Sequence, residues 1–394
     1  MGEPMRIALV APPWLPVPPT GYGGTEAVID RLATGLQALG HEVLLFTTGD
    51  STCPVPRAWS RESSAFELLG QSLVEADHLL HAYERVSDYD IVHDHSLLGP
   101  LFASEQLLGR LVVTNHGPFT PEARTIVSRY AGRAAVVAIS ADQASRSPIP
   151  VEAVIHHGLR IDEFPVGAGE GDYLFYLGRF SPDKGAREAA LIAREAGIPL
   201  LMAAKMREAT EIAYFREAVE PLLGDDVRYL GEVGLAEKLA LMGSARALLN
   251  PIRWPEPFGL VMIEALACGT PVLTRRAGAA PEIVDHGVTG VVCDTDEELL
   301  EAVGTIDRLD RQACRRAAEE RFSVEAMVAA HVELYQRLLH ALPSGIAGDG
   351  PGYVEQVEPE PEPAASIRLP SPLAPEARVG AGASLQAANP VAGL

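Results

Sequence analysis

The chain has 394 residues, which is too long for one ordinary hydrophobic core, so two domains are expected. Its 32 Lys and Arg residues against 53 Asp and Glu residues give a formal net charge of −21. This negative charge argues against nucleic acid or an anionic membrane surface as the main partner.

Strands and helices alternate in the first part of the chain. An amphipathic helix is predicted over residues 25–39, and Gly40 ends it. Short apolar runs predict strands at residues 6–11, 42–47, 91–93, 111–114, 135–139 and 154–155. This alternation is typical of a parallel sheet whose two faces are covered by helices.

A Gly-rich segment at residues 165–172 separates this series from a second one. The second series predicts strands at residues 173–177, 200–203, 227–229, 247–250, 271–274 and 290–293. We therefore predict an α/β fold with two doubly wound parallel-sheet domains, residues 1–165 and 172–322. In open α/β sheets ligands bind beyond the carboxyl ends of the strands, so a ligand site is expected in a cleft where those edges face each other.

The last predicted helix covers residues 323–340, with Ser323 as its N-cap, and it belongs to a separate C-terminal segment at residues 323–342. Composition then shifts to Pro, Ala, Gly and Glu. Such a sequence cannot fill a core, and residues 343–394 are predicted to be a disordered tail.

The cysteines and apolar runs bear on location. The four cysteines (Cys53, Cys268, Cys293 and Cys314) lack metal-ligand spacing, and scattered thiols fit a reducing cytoplasm. The first apolar run ends at Ala11 and is too short for a signal peptide. Since no apolar run reaches about 18 residues, we expect no transmembrane segment.

Two glutamates frame the most informative segment. Glu256 lies in the turn Trp254-Pro-Glu-Pro-Phe-Gly259, and Glu264 falls in the second turn of the apolar helix that follows. Unpaired N–H groups at a helix start attract anions, so the two carboxylates can hold the hydroxyls of a ligand whose anionic part lies between them. This pattern suggests a nucleotide-sugar; the alternative is a buried turn with Glu256 as a cap and Glu264 facing solvent.

With its exit sequence Ala-Cys-Gly-Thr-Pro-Val at residues 267–272, this segment resembles the Glu-x7-Glu motif of retaining glycosyltransferases of family 4. The resemblance covers about residues 5–340. It implies the GT-B fold, with two facing Rossmann-like domains, an acceptor side at residues 1–165 and a nucleotide-sugar side at residues 172–322. The final helix would cross back to the first domain.

The resemblance also implies an activity: transfer of a hexose from a UDP- or GDP-type donor to an acceptor hydroxyl with retained configuration. The acceptor would be a small molecule, a glycan or a lipid. A sugar-nucleotide epimerase of the same fold and a non-catalytic nucleotide-sugar-binding protein are the alternatives. Whether Glu256 acts as a nucleophile or only as a stabilising group stays open.

A basic loop follows the first strand of the second series. Arg179 and Lys184 lie in the loop at residues 178–185, and a planar guanidinium with a point-charge ammonium suits a diphosphate. An exposed basic loop without a ligand is the alternative. The loop resembles the donor-phosphate motif of the family, which favours the phosphate interpretation.

Further roles follow from the resemblance. Glu256 would hold hydroxyls of the donor sugar, Glu264 those of the ribose, and His116 would orient the sugar. The remaining donor-binding positions lie in three loops: Gly23 and Gly24 near the donor phosphate or the acceptor, Glu232 and Val233 at the base, and Phe258, Gly259, Leu260 and Val261 at the helix start.

No metal or cofactor is expected beyond the donor itself. His93 and His95 could be a metal pair, but no third ligand with useful spacing follows, so we interpret them as a turn that lines the acceptor pocket. The segment 294–296 is interpreted as a turn that caps a helix. At residues 156–162 the chain departs from the family pattern, because Arg160 stands where an Asp is usual.

Overall fold

The computed structural model describes residues 3–21 and 23–342, in which two parallel sheets are the main feature. The predicted tail at residues 343–394 lies outside the described residues. The first sheet has seven strands: β1 (Arg6–Val10), β2 (Glu42–Phe46), β3 (Arg57–Ala58), β4 (Ile91–Asp94), β5 (Leu111–Thr114), β6 (Ala135–Ala138) and β7 (Ala153–Val154). The second sheet has six: β8 (Leu174–Leu177), β9 (Leu200–Ala203), β10 (Val227–Tyr229), β11 (Ala247–Asn250), β12 (Val272–Arg275) and β13 (Gly290–Cys293).

Both sheets repeat one topology. Their strand orders are β3-β2-β1-β4-β5-β6-β7 and β10-β9-β8-β11-β12-β13, and every pairing is parallel. The direction of winding therefore reverses between β1 and β4 in the first sheet and between β8 and β11 in the second. These reversals are the places where doubly wound sheets bind ligands.

Helices cover both faces of the sheets. The first domain carries α1 (Gly24–Ala38), α2 (Ser72–Tyr83), α3 (Pro121–Val127) and α4 (Ala141–Ser145). Next come α5 (Ala186–Ala196), α6 (Ala209–Tyr214), α7 (Leu235–Ser244), α8 (Leu260–Ala267), α9 (Ala280–Ile283), α10 (Asp296–Val303), α11 (Arg311–Arg321) and α12 (Val324–Ala341). The Thr295 hydroxyl accepts from the Glu298 N–H, so the segment 294–296 does cap a helix.

Helix α12 returns to the first domain. Its N-cap is Ser323, whose hydroxyl accepts from the Ala326 N–H. Along α12, Met327, Val328, Leu334 and Tyr335 join the core beneath β1, β2 and α1. The chain thus crosses between the domains twice, and the crossings meet where the Leu159 N–H donates to the Phe322 carbonyl.

The Gly-rich segment at residues 165–172 is bound to the second domain. Its backbone N–H groups at Gly167 and Gly169 donate to the carbonyls of Cys268 and Gly243, and Arg311 donates to the Gly167 carbonyl. The segment therefore packs against α11 and the end of α7.

Two further observations bear on the sequence predictions. All four cysteines are buried and none forms a disulfide. Within residues 3–21 and 23–342, we find no helix whose length and apolar character would suit a bilayer span.

Candidate active site

The predicted donor-binding residues follow the central strands of the second sheet. Arg179 and Lys184 lie in the loop after β8, and Glu256 lies in the loop after β11. Because β8 and β11 are neighbours at the reversal of strand order, their loops emerge side by side. The topology therefore explains how residues 72 positions apart meet.

The structure brings Lys184 and Glu256 into contact. The Lys184 ammonium donates to Glu256 Oε1, and only 16% and 15% of the two side chains are exposed. The ammonium also lies 5.5 Å from the centre of the Trp254 ring. A partly buried cation is thus held at the start of α8 by a carboxylate and an aromatic face.

Close backbone packing fixes this contact. Gly185 has φ +71°, and a Cβ there would lie 2.1 Å from the Pro251 carbonyl oxygen, so only glycine fits. The Arg253 N–H donates to the Asp183 carbonyl, and the Ala279 N–H donates to the Glu256 carbonyl. Glu256 therefore sits on a backbone anchored from two sides.

Unsatisfied polar atoms mark the same place. Glu256 Oε2 and Trp254 Nε1 are buried and have no hydrogen-bond partner among the described residues. Buried polar atoms without partners are uncommon and costly, and they often mark a position that a ligand fills. Glu256 Oε2 faces the start of α8, since a Cβ on Gly259 would lie 3.5 Å from it.

Arg179 occupies the same loop but makes a weaker contact. Its guanidinium is 4.0 Å from Asp183, and about a third of the side chain is exposed. The structure does not bring Arg179 into contact with Glu256. It lies in the same loop as Lys184, with its guanidinium in a long ion pair.

Glu264 has a partner of its own. Lys238 of α7 donates to Glu264 Oε1 at 2.8 Å, and both side chains are mostly buried. From the first domain, Arg31 of α1 is close enough for the Glu264 charge to counteract the lowering of the Arg31 pKa by burial. The carboxylate is therefore paired with Lys238 of its own domain and also lies within electrostatic range of Arg31 from the first domain.

The loop before α1, which contains Gly21 and Gly23, reaches the second domain together with Gly24, the first residue of α1. A Cβ on Gly24, which lies directly after Gly23, would lie 3.1 Å from Leu260 at the start of α8. Earlier in the loop, Gly21 lies close to the exposed pair in which Arg207 donates to both carboxylate oxygens of Glu232. Val233, next to Glu232, packs against the core of the second domain.

His116 lies in a row of stacked rings. Its Nε2 is 2.9 Å from Nδ1 of His95, and its ring stacks on His157 with centroids 5.2 Å apart. His157 in turn meets the edge of Phe258, 4.9 Å away, and so connects the first domain to the turn that carries Glu256. Burial lowers the pKa of His116 to about 3, which keeps the ring neutral near pH 7.

A cavity of about 310 Å³ opens at the carboxyl edge of the first sheet. It is lined by the loops after β1, β4 and β5 and by the starts of α1 and α2. His95 and His116 both line it, whereas His93 does not. In residues 3–21 and 23–342 no group of three or more His, Cys, Asp or Glu side chains is arranged to hold a metal ion.

Glu282 and Arg160 make contacts that the sequence analysis did not predict. Glu282 of α9 accepts from the N–H groups of Ala141 and Asp142 at 2.7 Å, so it joins the two domains at the start of α4. Arg160 donates to Asp30 and Thr34 of α1, at 2.8 and 2.9 Å. The substituted position therefore serves a contact within the first domain, between the loop at residues 156–162 and α1.

Sequence reasoning missed several residues of the site. Lys238 and Arg31 lie on ordinary helical patterns, and no local signal distinguishes them from solvent-facing cations. Trp14 and Glu75 line the cavity, yet they belong to segments without a recognisable motif. Glu26 lies two residues after Gly24, and its position beside these glycines is the one signal that could have identified it.

Comparison with known proteins identifies the family. The profile described as Glycosyl transferases group 1 matches residues 161–321, and the profile described as Glycosyltransferase Family 4 matches residues 22–148. The chain belongs to the group 1 glycosyltransferases of family 4. The two sheets of this glycosyltransferase are accordingly the two domains of a GT-B fold.

Similarities to individual proteins agree with the family assignment. This glycosyltransferase is 27% identical over 334 residues to phosphatidyl-myo-inositol mannosyltransferase of Mycolicibacterium smegmatis, covering 74% of this chain and 82% of that protein. It is 29% identical, with a TM-score of 0.64, to AviGT4, a glycosyltransferase involved in avilamycin A biosynthesis, over 86% of this chain and 99% of that one. Anabaena Alr3699/HepE, solved with UDP and glucose, shares the fold at 21% identity and a TM-score of 0.67, over 86% and 100% of the two chains. Matches to two further curated proteins, 34% and 31% identical, span about a third of those proteins, 32% and 35%.

Proposed function

We propose that this glycosyltransferase moves a hexose from a UDP- or GDP-type nucleotide-sugar to an acceptor hydroxyl, with retention of configuration and without a metal ion. The contact between Lys184 and Glu256 at the start of α8 carries the proposal, because it places a cation, a carboxylate and a helix N-terminus at one point. The related fold solved with UDP and glucose supports a donor of this class.

In the proposed complex, Lys184 and Arg179 receive the diphosphate at the start of α8, where the backbone of Phe258 to Val261 faces it. Glu256 Oε2, which has no partner now, accepts from a hydroxyl of the donor sugar. Glu264 binds the ribose hydroxyls, and the backbone at Glu232 and Val233 holds the base. His116 orients the sugar from the first domain, next to Gly23 and Gly24.

The proposed reaction needs no protein nucleophile. The bond between the anomeric carbon and the phosphate oxygen breaks, and the acceptor oxygen bonds to that carbon on the same face. The acceptor proton moves to the leaving phosphate oxygen. Negative charge grows on the diphosphate during this step, and the cations at residues 179 and 184 stabilise it electrostatically.

A donor panel tests the proposal. The full chain is incubated with UDP-, GDP-, ADP- and TDP-sugars, with and without sugar, cyclitol and lipid-linked acceptors, and released nucleotide and product configuration are measured. We expect one UDP- or GDP-sugar to release nucleotide and to give a glycoside whose anomeric configuration, α or β, is the same as that of the donor. An isomerised sugar without an acceptor would indicate an epimerase, and binding without turnover a non-catalytic protein.

Chelation tests the metal-independent part. With the best donor, excess EDTA is expected to change turnover less than twofold, because Lys184, Arg179 and the start of α8 supply the positive charge that a metal would otherwise provide. The rate is measured before and after dialysis against chelator, and again after adding Mg²⁺ or Mn²⁺. Loss of activity on chelation with recovery on Mg²⁺ addition would contradict this prediction.

A further inference from the structure

The two side chains proposed to contact the donor sugar come from different domains, and a series of hydrogen bonds connects them. His116 follows β5 of the first sheet, and Glu256 lies after β11 of the second. The connection runs through two short helices, α4 of the first domain and α9 of the second. Its polar side chains have no part in the proposed chemistry itself.

The loop that carries His116 is held by one buried side chain. Gln143 of α4 is 1% exposed, and its amide nitrogen donates to the carbonyls of Asn115 and Gly117 at 2.9 and 2.7 Å. Its amide oxygen accepts from the Ile139 N–H at 2.8 Å, so all three bonds agree on the orientation of the amide. The carbonyls of the residues before and after His116 are therefore fixed by a single amide group.

The second domain in turn holds the start of α4. Both carboxylate oxygens of Glu282 accept from backbone N–H groups there, Oε2 from Ala141 and Oε1 from Asp142, each at 2.7 Å. His156 Nε2 lies 3.3 Å from Glu282 Oε2. Because Ala141, Asp142 and Gln143 are successive residues of a five-residue helix, the carboxylate also fixes the place of Gln143.

Glu282 is itself tied to the turn that carries Glu256. The Ala279 N–H donates to the Glu256 carbonyl at 3.0 Å. A Cβ on Gly278, which has φ +54°, would lie 2.2 Å from the same oxygen, so the two segments pack backbone against backbone. From α11, Arg321 donates to the carbonyl of Glu282. The α9 segment and the Glu256 turn are therefore one unit.

The contact between α9 and α4 depends on the arrangement of the two domains. The N–H groups of Ala141 and Asp142 belong to the first turn of a helix, where water can serve as the partner. Ala141 is exposed, so these N–H groups would be solvated if the domains moved apart. Gln143 is buried within the first domain, but the helix that carries it would then lose its second-domain support.

We propose that Glu282 and Gln143 are positioning residues, which place His116 against the donor sugar when α9 and α4 are in contact. The inference rests on the proposed glycosyl transfer, and it adds a control on that site, because donor cleavage becomes coupled to contact between the domains. A misplacement of about 1 Å far from the chemistry can cost about 10²-fold in rate. With α4 released, the donor would stay bound by the second domain and be cleaved slowly.

Kinetics of the full chain test this coupling. Glu282→Gln puts an amide N–H against a backbone donor, and Gln143→Met keeps an unbranched side chain but loses all three hydrogen bonds. Each is expected to lower kcat for nucleotide release by about 10–10²-fold. The affinity for the nucleotide should change by less than about twofold, because the cations and Glu264 of the second domain keep their contacts.

Matched controls and a second background separate positioning from stability. Glu301→Gln on α10 and Gln312→Met on α11 change the same side chains at exposed positions and should leave kcat unchanged. In a His116→Ala background, Glu282→Gln and Gln143→Met should each cost less than about threefold more, because they act through the ring that is already missing. A merely structural role would cost the full factor in both backgrounds.

A second measurement needs no turnover. In protein labelled with ¹⁵N-histidine, the ring signals of His116 are identified by their loss in His116→Ala. They are expected to shift in Glu282→Gln and Gln143→Met and to stay in place in the two controls. Since the Glu282 side chain is 22% exposed at the domain boundary, Glu282→Gln leaves both cores intact and carries the test if Gln143→Met does not fold.

The two proposals fail differently. If no nucleotide-sugar is cleaved but the His116 signals shift in Glu282→Gln, the proposed function fails and the positioning link between the domains stands. Donor cleavage with near-normal kcat in Glu282→Gln would overturn the inference. Equal losses with and without the His116 ring, or unmoved His116 signals in Glu282→Gln, would overturn it as well.

Discussion

Lys184→Ala is expected to lower kcat by about 10²–10³-fold, the usual effect of removing one group that stabilises charge in a transition state. The ammonium is mostly buried and sits on Glu256 next to the start of α8, where the proposed diphosphate departs. Without it, the growing negative charge faces only Arg179 and the helix N-terminus. The measurement is nucleotide release under saturating donor and acceptor.

A control must separate lost catalysis from lost folding, because Lys184→Ala also leaves the Glu256 carboxylate buried without its partner. The double variant Lys184→Ala with Glu256→Gln removes that unpaired charge and should recover stability without recovering turnover. Arg194→Ala on α5 breaks an exposed ion pair with Asp226 in the same domain and should leave the rate unchanged. Near-normal turnover in Lys184→Ala would remove this residue from the phosphate site.

The alternation of apolar runs and helical patterns carried most of the information about the fold. Strands such as Leu111–Thr114 and Leu200–Ala203 are buried on both faces, so they appear as short apolar runs, and their predicted bounds match the structure. Strand β3 was missed because it has only two residues, Arg57 and Ala58, and neither shows a strand pattern. It pairs only because β2 offers an open edge.

The candidate site likewise contains some residues that local sequence predicts and others that it does not. Glu256, Lys184 and His116 follow strands and stand in motifs, so their neighbourhood could be predicted from local sequence and the rule of strand ends. Lys238 of α7 donates to Glu264, and Arg31 of α1 lies near enough for the Glu264 charge to affect its pKa, because α7 and α1 pack around α8. Proximity that arises from packing between domains leaves no trace in a single sequence.

The histidines illustrate a second limit of sequence reasoning. His93 and His95 lie two residues apart and suggest a metal pair, yet in the structure they belong to a buried cluster with His116, His157 and His331. His93 bonds to Tyr335 of α12 and to Thr114, at 2.6 and 2.8 Å. The side chains that satisfy the ring come from 242 and 21 residues away, which no spacing rule anticipates.

Acidification is expected to destabilise the fold strongly because these histidines are buried in the neutral form. Burial lowers the pKa of the five clustered rings and also that of His78, whose Nε2 donates to the Ala11 carbonyl. In the unfolded chain each ring titrates near 6.5, so the unfolded state binds more protons below that pH. Stability is therefore present above about pH 6.5 and is lost as the pH falls toward the lower folded values, by about 2 kcal/mol for each histidine at pH 5.

Three carboxyl groups act in the opposite direction. Burial raises the pKa of Glu26 and Glu75 to about 7 and that of Asp94 to about 6, so protonation on acidification relieves their burial. Because six histidines oppose three carboxyl groups, the free energy of unfolding is expected to decrease by a net several kcal/mol at pH 5. This decrease is comparable to the total stability of about 5–15 kcal/mol of many proteins.

Urea unfolding at pH 7.5 and pH 5.0 measures this loss. We expect the midpoint to fall sharply at the lower pH and the free energy of unfolding to decrease by several kcal/mol. His331→Gln removes one buried titrating ring and should reduce the difference between the two pH values by about 2 kcal/mol, whereas His340→Gln, at an exposed position on the same helix, should leave it unchanged. A midpoint that is equal or higher at pH 5.0 would show that the buried carboxyl groups dominate, and the neutral histidine cluster would then not control acid stability.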